Sequence, residues 1–237
     1  MTLTEIKRTA RAQLYGKYPI PIAAVVIAAF LPSLLLMPFS ALLKVNTVYQ
    51  IVLYYSAAFL IYLLTFVLRV GISYLSLELA AERPISLRQI IFCFKNRPDS
   101  FIFAAFLFFA MLLPWSVPGF LLDLSGRAGW AFWAYAVGFV VQFYVYLNFS
   151  QVFFLLLEDT SRPVRSLFSE SRQMMRGHKK EFLVLHLSFL GYFALSILSF
   201  GLGFLWTLPY FRQARTVYFL SLRNNIPDAS ASFVPPA

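Results

Sequence analysis

Charge is scarce in this sequence: 13% of its 237 residues are Asp, Glu, Lys or Arg, against about 25% in an ordinary soluble domain. Cysteine is nearly absent. Cys93 stands alone, which excludes an intrachain disulfide and a thiolate metal centre. The two histidines, His178 and His186, lie eight residues apart and lack the neighbouring ligands that a zinc or haem site needs. No P-loop, Gly-x-Ser-x-Gly, His-Glu-x-x-His or dinucleotide fingerprint occurs, so the chain carries no enzyme signature, no metal site and no cofactor site.

What is plentiful is apolar surface. Hydrophobic residues make up 60% of the chain and aromatic ones 19%, more than a soluble core of this size can hide. A helix needs about 20 apolar residues to cross about 30 Å of hydrocarbon, and such runs recur from Tyr18 almost to the end. The fold class that follows is all-α, a polytopic transmembrane helix bundle. The first run, Tyr18 to Leu43, is too long for a signal-peptide core, and no small-x-small site precedes Lys44, so it reads as a retained helix. A net charge of +10 would suggest nucleic acid in a soluble chain. Here its distribution along the loops points instead to membrane lipids.

Six spans are expected, at about 18–43, 51–79, 100–122, 130–157, 182–200 and 202–222. Three amphipathic segments precede the odd-numbered ones. In residues 2–15, Thr2 and Glu5 have capping-box spacing, and Leu3, Ile6, Ala10 and Leu14 recur at helical intervals. In residues 80–99 the apolar face is Leu87, Ile90, Ile91 and Phe94; in 158–180 it is Val164, Leu167, Phe168, Ser171, Met174 and Met175. All three have the pattern of helices lying at the headgroup level, against the anionic cytoplasmic leaflet. Residues 1–223 form one transmembrane domain, and the polar tail 224–237 is expected to be disordered and cytoplasmic.

Basic residues concentrate in alternate connections, which by the positive-inside rule places both termini in the cytoplasm of a cell whose inner membrane holds the chain. The opposite loops hold only Lys44 and Arg127. One competing reading makes 182–211 a single tilted helix of about 45 Å, leaving five spans and an external C-terminus. The six-span reading also exposes a candidate three-fold repeat of amphipathic helix plus span pair, with units 1–78, 79–157 and 158–223 and odd spans starting near Tyr18, Ser100 and Phe182.

Several residues are candidates for a site. Arg212 and Arg215 fall within the last span, where a charge is costly and usually faces a bundle interior. They contact an anion or lipid headgroup, or they snorkel to the inner interface on a shifted helix. Tyr144, Asn148 and Gln151 share one helical face of the fourth span, and Ser188, Tyr192, Ser196 and Ser199 share one of the fifth. Such stripes line a pathway or form interhelical hydrogen bonds. Lys7, Arg8, Arg11, His178, Lys179 and Lys180 sit beside spans where basic residues grip acidic headgroups. Glu158 and Asp159 are expected to face water and nearby arginines, and Arg69 to snorkel at a boundary.

Ser171, Met175, Gly177-His178-Lys179, Phe182, Leu185, Leu187-Ser188-Phe189, Gly191, Gly201-Leu202-Gly203, Leu205-Trp206 and Pro209-Tyr210 together resemble the DUF975 family of bacterial integral membrane proteins. Arg8 to Gly16 and Glu158-Asp159 are similar too, while Tyr192 stands where tryptophan is expected. The resemblance implies a multi-pass bacterial membrane protein and supplies no activity or substrate. Polar stripes, intramembrane arginines and interfacial helices point to a non-enzymatic protein that binds or moves a lipid-like or amphiphilic small molecule. The alternative is a non-catalytic scaffold or accessory subunit of a transporter or envelope complex, with a membrane-protein partner or a second copy of itself.

Overall fold

A computed structural model describes residues 1–42 and 47–224, and among these there are helices and no strand. Of the expected turn, Lys44 to Gln50, residues 44–46 lie outside the described residues and Val48 to Gln50 are already helical; the expected disordered tail, from residue 225 onward, also lies outside them. In chain order the helices are α1 (Leu3–Leu14), α2 (Pro19–Leu42), α3 (Val48–Ala80), α4 (Phe92–Lys95), α5 (Pro98–Leu112), α6 (Val117–Leu124), α7 (Ala128–Phe149), α8 (Val152–Glu158), α9 (Val164–Met174), α10 (Lys179–Leu187), α11 (Leu190–Leu198) and α12 (Phe204–Asn224). Short 3₁₀ segments, Leu87–Ile91 and Leu113–Trp115, precede α4 and follow α5.

Among the described residues, five stretches are long and apolar enough to cross a membrane: Pro19–Ser40, Tyr49–Ala80, Pro98–Trp115, Ala128–Glu158 and Lys179–Leu198. At 21 residues, α12 is about 31 Å long and matches the bilayer in length. Its three arginines and Gln213 lower its hydropathy, so composition alone does not place it with the other five.

The core sits at one end of the bundle. Along α3 most side chains from Leu63 to Leu79 are buried, whereas Val52, Tyr55, Leu60 and Tyr62 are exposed. The fourth span divides the same way: α8 is buried, and α7 exposes Trp130, Trp133, Val137 and Val140. At 33 residues, α3 is about 50 Å long and exceeds the hydrocarbon thickness by about 20 Å. The exposed apolar half therefore matches a lipid-facing band, and the packed half continues beyond it to the end that carries α1 and α9. Near that end α12 is central. Gln213 Nε2 donates to Gln13 Oε1 at 2.7 Å and to Ser76 O at 3.2 Å, and Phe219 stacks on Phe154 with centroids 4.9 Å apart.

Two spans that read as continuous are broken. Between α7 and α8 the Gln151 amide leaves the helical ladder and donates to Ser171 Oγ at 3.3 Å, while that hydroxyl donates to Asn148 O at 3.0 Å. Between α10 and α11, Ser188 O accepts from Lys7 Nζ at 3.0 Å. Each break is thus satisfied by a side chain from outside its span, α9 supplying one and α1 the other, as buried backbone groups require.

The residues between α11 and α12 form a tight turn. Ser196 Oγ lies 2.9 Å from Thr207 Oγ1, whereas one continuous helix would hold these residues about 16 Å apart. Phe200 and Gly201 have φ of 54° and 88°, and the Gly203 amide donates to Ser199 Oγ at 2.9 Å. The single tilted helix weighed above is excluded: the chain turns back.

The amphipathic segments spend their apolar faces on protein. Ile6, Ala10 and Leu14 are buried on α1, which packs against α12; Val164, Leu167, Phe168, Ser171 and Met174 are buried on α9. The capping box forms, with Thr2 N donating to Glu5 Oε2 at 2.7 Å. In the middle segment the expected face is displaced. Ile90, Phe92 and Cys93 are buried, and Leu87 and Ile91 are each 41% exposed. A 3₁₀ turn repeats every 3.0 residues, which shifts the pattern away from the α-helical one. This segment runs against α3 so closely that a Cβ on Gly71 would lie 1.9 Å from Ile90 O.

Candidate anion site

Three arginines from two distant parts of the chain line one cavity of about 150 Å³: Arg69 on α3, and Arg212 and Arg215 on α12. Phe66, Phe108, Phe149 and Phe153 form apolar walls, with Ser73, Ser150 and Tyr146 adding hydroxyls. Positions 212 and 215 are three apart on a helix and so share a face. Arg212 Nη1 donates to Arg69 O at 3.4 Å. The Arg215 guanidinium sits over the Tyr146 ring at 5.6 Å and near Phe182 and Phe211 at 6.0 Å, with a buried Nε that has no hydrogen-bond partner. Tyr146 is held in turn by His186. The imidazole places Nδ1 2.8 Å from Phe182 O, so Nδ1 carries the proton and Nε2 accepts from the Tyr146 hydroxyl at 3.3 Å.

No ion pair among the described residues involves any of the three arginines. Carboxylates at the same end of the bundle are committed elsewhere. Arg223 pairs with Glu158 at 3.2 Å and Glu170 at 3.4 Å, and Glu170 also binds Arg162. Glu158, expected to face water and nearby arginines, does pair with an arginine, but in a partly buried cluster tying α12 to α8 and α9. Asp159 is exposed, and hydrogen bonds from Ser161 Oγ and N hold its carboxyl below the usual range. Unpaired guanidinium groups in an aromatic cavity have the chemistry to hold an anion.

The remaining candidates fall in other places. Asn148 and Gln151 are buried at the α7–α8 break, where Gln151 Nε2 donates to Ser150 Oγ at 2.9 Å. Tyr144 is exposed on α7, with its hydroxyl accepting from Lys179 Nζ at 3.2 Å. Ser188 Oγ donates to Leu185 O, and Ser196 joins α11 to α12. Tyr192 lies beneath Lys7, whose ammonium is 5.6 Å from its ring and 4.8 Å from that of Phe189. Burial lowers the pKa of Lys7, while Arg8, Arg11 and Lys180 stand in the open. His178 is half-buried, with Nδ1 3.1 Å from Glu181 Oε2, and its carbonyl accepts from Tyr218. Of the predicted intramembrane set, then, only Arg212 and Arg215 share the cavity.

Arg69, expected to snorkel at a boundary, is exposed and lines the same cavity beside them. One signal was present: Arg69 stands eleven residues before the end of α3 and Arg212 twelve before the end of α12, within one residue of the same depth from the basic end.

Residues 130–226 match the model of a family described as protein of unknown function (DUF975). Over that stretch, less than half of the chain, the sequence is similar to the DUF975 family. The DUF975 region contributes Tyr146, Phe149, Ser150, Phe153, Phe154, Arg212 and Arg215 to the cavity, whereas Phe66, Arg69, Val70, Ser73 and Phe108 precede it. Ser171 and the Gly201-Leu202-Gly203 turn lie inside the DUF975 region, and Arg8 to Gly16 lies before it. No curated protein and no solved structure matches this chain.

Proposed function

We propose that this is a non-enzymatic, multi-pass inner-membrane protein that binds the anionic headgroup of a lipid-like amphiphile between α3, α5, α7, α8 and α12. The observation that carries this reading is the convergence of Arg69, Arg212 and Arg215 on one cavity with no paired carboxylate. A cavity of about 150 Å³ lined by apolar groups admits a benzene-sized guest; lined by guanidinium groups it suits a phosphate or carboxylate. The exposed apolar faces of α3 and α7 would take the chains.

In this reading α12 is the sixth span, the basic end faces the cytoplasm and both termini lie there. The order of elements, a short helix followed by a span pair three times over, supports the repeat. A C-terminal reporter checks the topology: fused green fluorescent protein should fluoresce and fused alkaline phosphatase stay inactive, and the reverse pattern would remove the sixth span.

Binding itself is tested by titrating the purified full chain with dodecyl phosphate and with an uncharged dodecyl glycoside. Each lost charge-assisted hydrogen bond is worth about 1.5–3 kcal/mol, so R212Q/R215Q should weaken dodecyl phosphate binding by at least about 100-fold. Glycoside binding should not change. Equal affinity of the variant and the native chain for dodecyl phosphate would refute the site. The scaffold alternative has one supporting observation, the exposed aromatic surface of α7 at Trp130, Phe132 and Trp133; a second protein retained stoichiometrically there through purification would favour it.

A further inference from the structure

A second basic recess lies on another side of α7, separate from the arginine cavity. Tyr144 and Asn148 of α7 face Arg172 and Gln173 of α9, Arg176 of the following turn and Lys179 of α10 across a notch of about 320 Å³. Lys179 Nζ is held 4.5 Å from the centroid of the Tyr144 ring and 3.2 Å from its hydroxyl, so the ammonium is fixed at the rim. Arg172 and Arg176 are exposed and enter no ion pair among the described residues. The acidic residues nearest in sequence are engaged, Glu170 with Arg162 and Arg223, and Glu181 with His178. Charge of one sign is thereby gathered in the notch.

Its setting points to the source of the anion. On α7 the exposed residues Trp133, Val137, Val140 and Tyr144 follow one another at intervals of four, three and four, a single apolar stripe that ends in the notch. The stripe belongs to the exposed apolar band and the three cations to the basic end, so the notch lies where the two meet. We propose that it is a peripheral site for an anionic phospholipid, with the phosphate between Arg172, Arg176 and Lys179 and an acyl chain along the stripe. Soluble phosphate shares the headgroup's chemistry but has no use for the stripe.

The test is native mass spectrometry of the full chain titrated with dioctanoyl phosphatidylglycerol, with dioctanoyl phosphatidylcholine for comparison. A basic residue near an anionic surface contributes about a factor of five, so R172Q/R176Q/K179Q should weaken phosphatidylglycerol binding roughly 100-fold. R212Q/R215Q should leave this binding event in place, which separates it from the cavity. The charge-matched control R88Q/K95Q/R165Q removes three exposed cations elsewhere. Equal loss in the control would mean unspecific attraction and overturn the proposal, as would retention of binding in the notch variant. Millimolar inorganic phosphate should leave the lipid bound; displacement by it would assign the notch to a soluble anion and overturn the lipid source. Should the triple variant fail to fold, Arg172→Glu at an exposed position gives the same comparison, with weakened binding expected and unchanged binding contrary.

Discussion

The guanidinium of Arg212 reaches from α12 to the backbone carbonyl of Arg69 on α3, 3.4 Å away, and this contact draws two cations to one cavity instead of separating them. An arrangement that gathers like charges without a carboxylate costs stability unless something bound offsets it. Arg212→Met keeps much of the volume and removes the charge. We expect the ligand-free variant to unfold at a temperature no lower than the native chain, and dodecyl phosphate to raise that temperature in the native chain alone. A thermal melt with and without the amphiphile decides it.

Ser171 bridges the break in the fourth span, accepting from the Gln151 amide and donating to Asn148 O. Ser171→Ala leaves a fully buried amide without a partner, at a cost of about 1–3 kcal/mol. Reversible unfolding in mixed micelles should show that loss. Ser166→Ala, at an exposed site whose hydroxyl bonds only within its own turn, should change stability much less.

Gly71 admits no side chain. A Cβ there would meet the Ile90 carbonyl at 1.9 Å, and because the obstacle is backbone, the 3₁₀ segment or α3 must move. Gly71→Ala should cost about 1–3 kcal/mol or more by overpacking. Gly191→Ala, with open space around its Cβ position, is the matched control and should be close to neutral. Their melting temperatures in one detergent provide the comparison.

Cys93 is fully buried, and burial pushes its thiol up to about 12. The folded state therefore favours the protonated form, a contribution present below the unfolded pKa of about 8.5 and lost as pH rises from there toward the folded value. The expected outcome is that N-ethylmaleimide at pH 8 does not label the native chain and labels it rapidly once it is unfolded. Labelling at equal rates in both states would contradict the packing of α4 against α3.

Much of the architecture follows from local chemistry. Apolar runs and their lengths identify the five membrane-capable helices, and Thr2 with Glu5 marks the start of α1 at the right residue. Gly201 and Gly203 mark a break, and the structure makes it a turn whose small residues let α11 and α12 touch. The face of the 80–99 segment was not legible, because a 3₁₀ turn and an α-helix distribute the same letters differently.

The sequence by itself determined which segments are helical, which are apolar enough for a bilayer and where positive charge accumulates, since these depend on composition and period along the chain. Only the tertiary structure decided which polar groups meet. Arg69 and Arg212 stand far apart in the chain, and nothing in their own neighbourhoods pairs them. Lys7 reads as a headgroup contact until α1 folds onto the bundle and its ammonium reaches Ser188. The reason is physical: backbone groups at a break and charges in an apolar wall are satisfied by whatever side chain packing brings within about 3 Å, and packing joins elements that sequence spacing does not.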